Sequence, residues 1–222
     1  MDITSYLLGK NSSGGGGGGG SDLDWSAIGF EQRPIAIDEG YNYAKEIQRT
    51  WEASADLNEK FKSNTKLVYL PLVDTSITTS MNYTFQACSS LQGLAKINTS
   101  NVTTMTSAFT SCYSLVSVPL LDTSNVVYMT GTFSYCSNLK YVPQFNTSKI
   151  SNWQNIFSAC YSLTNESLNN ILAMCININS HYSKTKTLAY LGISNSTYYP
   201  VSRIQALSNY QAFIDAGWTI GY

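Results

Sequence analysis

The residues best suited by type to do chemistry in this chain are five cysteines: Cys88, Cys112, Cys136, Cys160 and Cys175. A thiolate can ligate zinc, attack an electrophile or enter a disulfide. Zinc sites use close pairs such as C-x₂-C, and even the nearest two cysteines here, Cys160 and Cys175, lie much further apart. Four of the five recur every 24 residues, which suits a structural column better than a metal cluster. Stacking would bring neighbouring column members together, so bridges are conceivable. Each cysteine is expected to fill a tight inward position as a small buried hydrophobe with a free thiol.

Other candidates for chemistry are weaker. His181 is the sole histidine and sits in a polar stretch, SHYSK, without a nucleophile nearby to make a triad. The carboxylates form no pair. Asp74 and Asp122 alternate with Asn98 and Asn146 at one repeat position, which indicates hydrogen bonding within a turn and not acid–base work. The run Gly14–Gly20 lacks the G-K-[ST] ending of a phosphate loop. With its serines it reads as a flexible tether spanning roughly 18 Å for about ten residues. The expectation is therefore a protein with no catalytic residue, no metal and no cofactor.

The elements that hold these residues follow from the repeat. Phe61, Phe85, Phe109, Phe133 and Phe157 share the 24-residue spacing, as do Leu67, Leu91, Leu115, Leu139 and Leu163. Thr-Ser recurs at 75, 99, 123 and 147, and a further column reads Leu57, Met81, Met105, Met129 and Trp153. Within one unit, SLVSVPLLD reads as a short strand, irregular because Pro119 cannot donate to a ladder. Thr123 or Ser124 is placed to cap a short helix carrying Val126, Met129, Phe133 and Cys136 on one face. One such unit cannot bury its apolar side alone, whereas stacked units share a continuous core.

The expected fold is thus an α/β repeat solenoid of the leucine-rich-repeat type, with 24-residue strand-plus-short-helix coils and a helical cap at each end. Residues 1–21 read as a tag and glycine-rich linker, 22–60 as the N-terminal cap, 61–163 as the solenoid and 164–222 as the C-terminal cap. Residues 38–61 are expected to be helical, with Ala44, Ile47 and Trp51 on one face. Leu168, Ile171, Leu172, Cys175 and Ile176 have helical spacing, and a last helix is expected after Pro200, ending at Gly217.

The motif F-x-x-C-x-x-L-x-x-[VL]-P-x-[LF]-[DN]-T-S-x-[VI]-x-x-M, running from about Leu57 to Leu163, resembles the BspA-like leucine-rich-repeat surface proteins. Asn64 stands for the first Cys, Ala95 for a Pro and Trp153 for a Met. The resemblance implies a solenoid used for adhesion or protein binding, and no catalytic residues. The opening MDITSYLLGK with its glycine run, and the tail TLAYLGIS…NYQAFIDAGWTIGY, resemble small repeat proteins of bacteriophages and prophages of gut bacteria. That likeness implies a virion- or tail-associated adhesion protein, made in a bacterial cytoplasm and exposed at a virion or cell surface.

Charge points the same way. Thirteen basic and fourteen acidic residues give a net charge of −1, which offers no electrostatic basis for nucleic acid or an anionic membrane as partner. No stretch approaches the roughly 20 apolar residues of a membrane span, and the first ten residues lack the pattern of a secretory signal. Sixteen tyrosines among abundant Ser and Asn suit an adaptable recognition surface. The outward strand-side candidates are Tyr69, Gln92, Lys96, Ser117, Lys140, Tyr141 and Gln144, and a second set, Tyr113, Tyr135 and Tyr161, flanks the cysteine column. The expected function is a binding module for a protein or glycan on a cell surface, with residues 1–21 docking it to a virion. The alternative is a spacer or decoration protein with no ligand of its own.

Overall fold

The computed structural model describes residue 47 and residues 49–178, 182–194 and 197–221. Its central feature is a stack of 24-residue coils, tied to one another by backbone hydrogen bonds on more than one side. A file of single parallel bridges joins Asp56, Ser80, Thr104, Tyr128 and Asn152. Two strands of two residues each, β1 (Tyr69–Leu70) and β2 (Gly93–Leu94), pair in parallel, and Ser117 bridges Tyr141 further along the stack. The strands are as short as Pro119 and its counterparts Pro71 and Pro143 require, because proline removes a rung donor.

The expected short helix of each coil is not there. In its place, residues such as 81–88 form successive turns with two left-handed residues per coil. These are Glu59 and Ser63, Tyr83 and Ala87, Ser107 and Ser111, Gly131 and Tyr135, Asn155 and Ala159, with φ between 53° and 62°. The reason lies in where the donors go. Met81, Tyr83, Phe85 and Ala87 donate their N–H groups to the carbonyls of Thr104, Thr106, Ala108 and Thr110 in the next coil. The alternate donors Thr84, Gln86 and Cys88 return to their own coil, to Met81, Tyr83 and Phe85. An α-helix would spend every donor internally and leave the coils unlinked. Left-handed geometry costs an L-residue about 1–2 kcal/mol, which the inter-coil bonds offset. Apolar residues at steps of three and four therefore carried a helical period without a helix. The Thr-Ser pairs are not helix caps either: Thr75, Thr99, Thr123 and Thr147 are buried and donate Oγ1 to the next layer, at Asn98, Asp122, Asn146 and Met174.

The core is a set of side-chain files. Phe61, Phe85, Phe109, Phe133 and Phe157 stack nearly parallel, with successive centroids 5.0–5.8 Å apart, close to the spacing of backbone rungs. Trp51 extends the file by stacking on Phe61 at 6.1 Å, and its Nε1 donates to Asp74 O at 2.7 Å. Residues 47, 49 and 50 are helical, but the expected helix does not reach residue 61. From Leu57 onward the donors already serve the next coil, beginning with Leu57 N–H to Ser80 O. The remainder of the proposed N-terminal cap, and the tag and linker of residues 1–21, lie outside the described residues.

At the other end, α1 (Asn165–Ile176) is capped by Thr164, whose Oγ1 accepts from Ser167 N, and it buries Leu168, Ile171, Leu172 and Cys175. A 3-10 turn (Ala189–Leu191) lays Tyr190 O and Leu191 O against the last coil, where Asn155 and Phe157 donate to them. The helix expected after Pro200 is two, α2 (Val201–Gln205) and α3 (Tyr210–Asp215). Asn169 Oδ1 takes the Asn209 N–H at the break, while Ile204, Leu207 and Phe213 face inward as their spacing implied. Trp153, at the end of the methionine column, meets Trp218 edge-on at 6.0 Å and donates Nε1 to Tyr182 Oη. The larger ring closes the column against the cap.

Candidate functional site

All five cysteines are buried with free thiols. Four repeat one contact: Cys88, Cys112, Cys136 and Cys160 donate Sγ–H to the carbonyls of Phe61, Phe85, Phe109 and Phe133, at 2.9–3.1 Å. A small side chain with a weak donor satisfies a carbonyl where the preceding turn leaves little room. Burial pushes the Cys88 and Cys160 thiols up to about 12, and it also drives Cys136 and Cys175 well above the ordinary thiol value. A maleimide at neutral pH should thus modify almost none of the five in the native protein and all of them after denaturation. The same shift bears on stability. An unfolded thiol loses its proton near 8.5, whereas these hold theirs to about 12 when folded. Unfolding therefore releases protons between those values, and stability that is whole below about pH 8.5 falls by ~1.4 kcal/mol per pH unit per thiol above it. Melting temperatures recorded from pH 7 to 11 should stay level and then drop.

The turn acids behave as their alternation with asparagine implied. Asp74 and Asp122 Oδ1 accept from Ser76 N and Ser124 N, and Asn98 and Asn146 Oδ1 do the same for Ser100 N and Ser148 N. The Ser76 N–H, then its hydroxyl, hold Asp74 below the usual carboxylate range; at Asp122 the Ser124 hydroxyl leads and its N–H adds. Groups that release their protons this readily are poor general acids. Among the described residues, no group of three or more His, Cys, Asp or Glu is arranged to hold a metal ion. None of their helices is long and apolar enough to cross a membrane. His181 lies outside the described residues.

The seven outward candidates do not form one surface. Tyr69 is a correction: it is 2% exposed, because it lies in β1, and its in-register partner Gly93 adds no side chain to compete for the space. Gln92, Ser117 and Lys140 are half-buried along the ladder, where Gln92 N donates to Val68 O and Lys140 N to Val116 O. Lys96, Tyr141 and Gln144 are exposed. Of these, Lys96 and Gln144 belong to a column that also holds Leu72 and Leu120, all four exposed. Leu72, Lys96 and Leu120 line a groove of about 460 Å³, edged by Asp74, Asn98 and Asp122. Its size falls in the range of about 300–1,000 Å³ usual for ligand sites. The two leucines were missed although the signal was present. In PLLD the adjacent Leu120 and Leu121 must face opposite ways on a strand, and Leu121 is the buried one.

No curated protein matches the chain. Among solved structures, a leucine-rich repeat protein from Bacteroides ovatus is 20% identical, with a TM-score of 0.30 over 48% of this chain and 32% of that one. This chain thus spans about a third of that protein. A leucine-rich repeat protein from T. pallidum is 17% identical, with a TM-score of 0.29 over 55% of this chain and 75% of that one. Neither score is high enough to bear on the fold, which rests on the coil-to-coil hydrogen bonds. The repeats themselves decide the family: residues 79–190 match the family described as Mycoplasma protein of unknown function, DUF285, and the chain belongs to it.

Proposed function

We propose that this protein is a non-enzymatic binding module that recognises a protein or glycan on a cell surface and is carried by a virion. The observation that carries the binding reading is the column of Leu72, Lys96 and Leu120 above its groove. Leu120 is 65% exposed beside a core that buries its neighbour Leu121. A spacer has no use for leucines held in water on a rigid stack, whereas an apolar pair around a cation is a recognition surface. The virion part of the reading is supported by the resemblance of the two ends of the chain to phage repeat proteins.

The test is binding of the purified, labelled protein to intact candidate host cells. Leu120→Asp and Lys96→Glu should each weaken cell binding by about tenfold or more, with the melting temperature unchanged because both side chains are exposed. Cell binding that survives both substitutions removes the groove as the site. Deleting residues 1–21 should leave cell binding intact and prevent incorporation into the particle.

A further inference from the structure

Among the described residues, the inter-coil ladder ends one rung short. At one left-handed position of each coil the N–H donates to the next coil: Ser63 to Gln86 O, Ala87 to Thr110 O, Ser111 to Ser134 O and Tyr135 to Ser158 O, at 2.6–2.8 Å. In the last coil the equivalent donor is Ala159. The C-terminal cap supplies acceptors for the two preceding donors, Tyr190 O for Asn155 and Leu191 O for Phe157, at 2.8 and 2.9 Å. The chain then turns away at Gly192, whose φ of +84° and contact with Ser158 leave no room for a side chain. Among the described residues, no acceptor is provided for the Ala159 N–H.

Ala159 lines a pocket of about 220 Å³ at this missing rung. Tyr135, 54% exposed, stands to one side, and Tyr161 stacks on Tyr198 at 4.7 Å. Gly192, Ser158, Ser194 and Tyr199 complete the wall with Cys160, and neither serine spends its hydroxyl on another described group. The described lining carries no charge. Cys160 also lines it, but its thiol, raised to about 12, is no nucleophile at neutral pH.

We propose that this pocket binds one neutral pyranose ring of a glycan. The volume is below the roughly 300 Å³ at which drug-sized sites begin, and so suits a single ring. Tyrosine faces accept the C–H face of a sugar, and serine hydroxyls with one backbone N–H match its ring of hydroxyls. A charged ligand would find no counter-ion in the described lining, and Arg203, over the Tyr199 ring at 5.3 Å, already donates to Asn165 Oδ1 and to the carbonyls of Tyr198 and Leu163. A peptide strand would need a row of free rungs, and among the described residues this end of the ladder offers one. The site is separate from the groove of Leu72, Lys96 and Leu120, and does not depend on it.

The experiment is a titration of the isotope-labelled full chain with methyl glucopyranoside, methyl galactopyranoside and methyl N-acetylglucosaminide, read at the Ala159 backbone amide. Glucuronate and a blocked proline peptide serve as comparators. At least one neutral pyranoside should shift the Ala159 amide saturably. Tyr135→Ala and Tyr161→Ala should each weaken that binding by about tenfold, while Lys96→Glu leaves it unchanged. Tyr135 is exposed, so its variant should retain the wild-type melting temperature and remains informative if Tyr161→Ala misfolds. No shift with any neutral pyranoside at tens of millimolar overturns the proposal. So does an equal response to glucuronate or the peptide, or full affinity in a folded Tyr135→Ala.

Discussion

Phe109→Ala is expected to cost about 3–5 kcal/mol, the range for deleting a fully buried phenyl side chain. The ring is 0% exposed and lies between Phe85 at 5.0 Å and Phe133 at 5.4 Å, so its removal opens a void with aromatic faces on both sides. Neighbouring coils cannot close over that void, because their spacing is set by backbone bonds such as Phe85 N–H to Ala108 O and Phe109 N–H to Thr132 O. Lys96→Ala, on an exposed side chain, should stay within about 0.5 kcal/mol. Asn101→Ala is not the neutral control its exposure suggests. Its Nδ2 donates to Ser76 O of the preceding coil at 2.7 Å, and losing that bond should cost about 0.5–1.5 kcal/mol. Chemical denaturation of the three variants checks the order, and equal midpoints for Phe109→Ala and Lys96→Ala contradict a stacked aromatic core.

Gly192→Ala should be comparably damaging, for reasons of backbone and not of core. A Cβ there would lie 2.5 Å from Ser158 Cα and 2.6 Å from Ser158 N, and backbone atoms cannot swing aside. Left-handed φ costs an alanine about 1–2 kcal/mol, and forced separation of packed segments about 1–3 more. What separates is the cap from the last coil, at the carbonyls of Tyr190 and Leu191. Gly217→Ala isolates the first contribution. Its φ is +82° but a Cβ would meet nothing within 4 Å, so its loss should be limited to about 1–2 kcal/mol. Melting temperatures for the pair decide the matter. If the two variants shift alike, the close approach at Ser158 is not what holds the cap.

Some of this architecture was legible residue by residue. Columns of Phe, Leu, Cys and Thr at one spacing can be satisfied together only if equivalent residues touch, because a lone 24-residue unit has no second side to its core. The free, buried state of Cys88 or Cys160 follows from the same logic. So does the role of Asp74 and Asn98, since only the oxygen they share can serve a turn N–H. The candidate surface was legible in part: Lys96 and Gln144 are exposed, while Tyr69 is buried and Leu72 and Leu120 were overlooked.

Residue types and their spacing were enough for the period, the set of inward residues and the need for closure at the ends. A side chain's burial is decided by its type and spacing, which are one-dimensional facts. Where each backbone donor goes depends instead on contacts between coils. Val126, Met129, Phe133 and Cys136 have the spacing of a helix, but a helix and a left-handed turn pair bury the same residues. They differ only in whether Met129 N–H stays in its own coil or crosses to Asn152 O in the next. The same holds for the Ala159 N–H, which meets no acceptor among the described residues, next to the close approach of Gly192 to Ser158. Residues 34 apart in sequence, Ser158 and Gly192, had to meet at that end of the stack, and no local pattern encodes such a meeting.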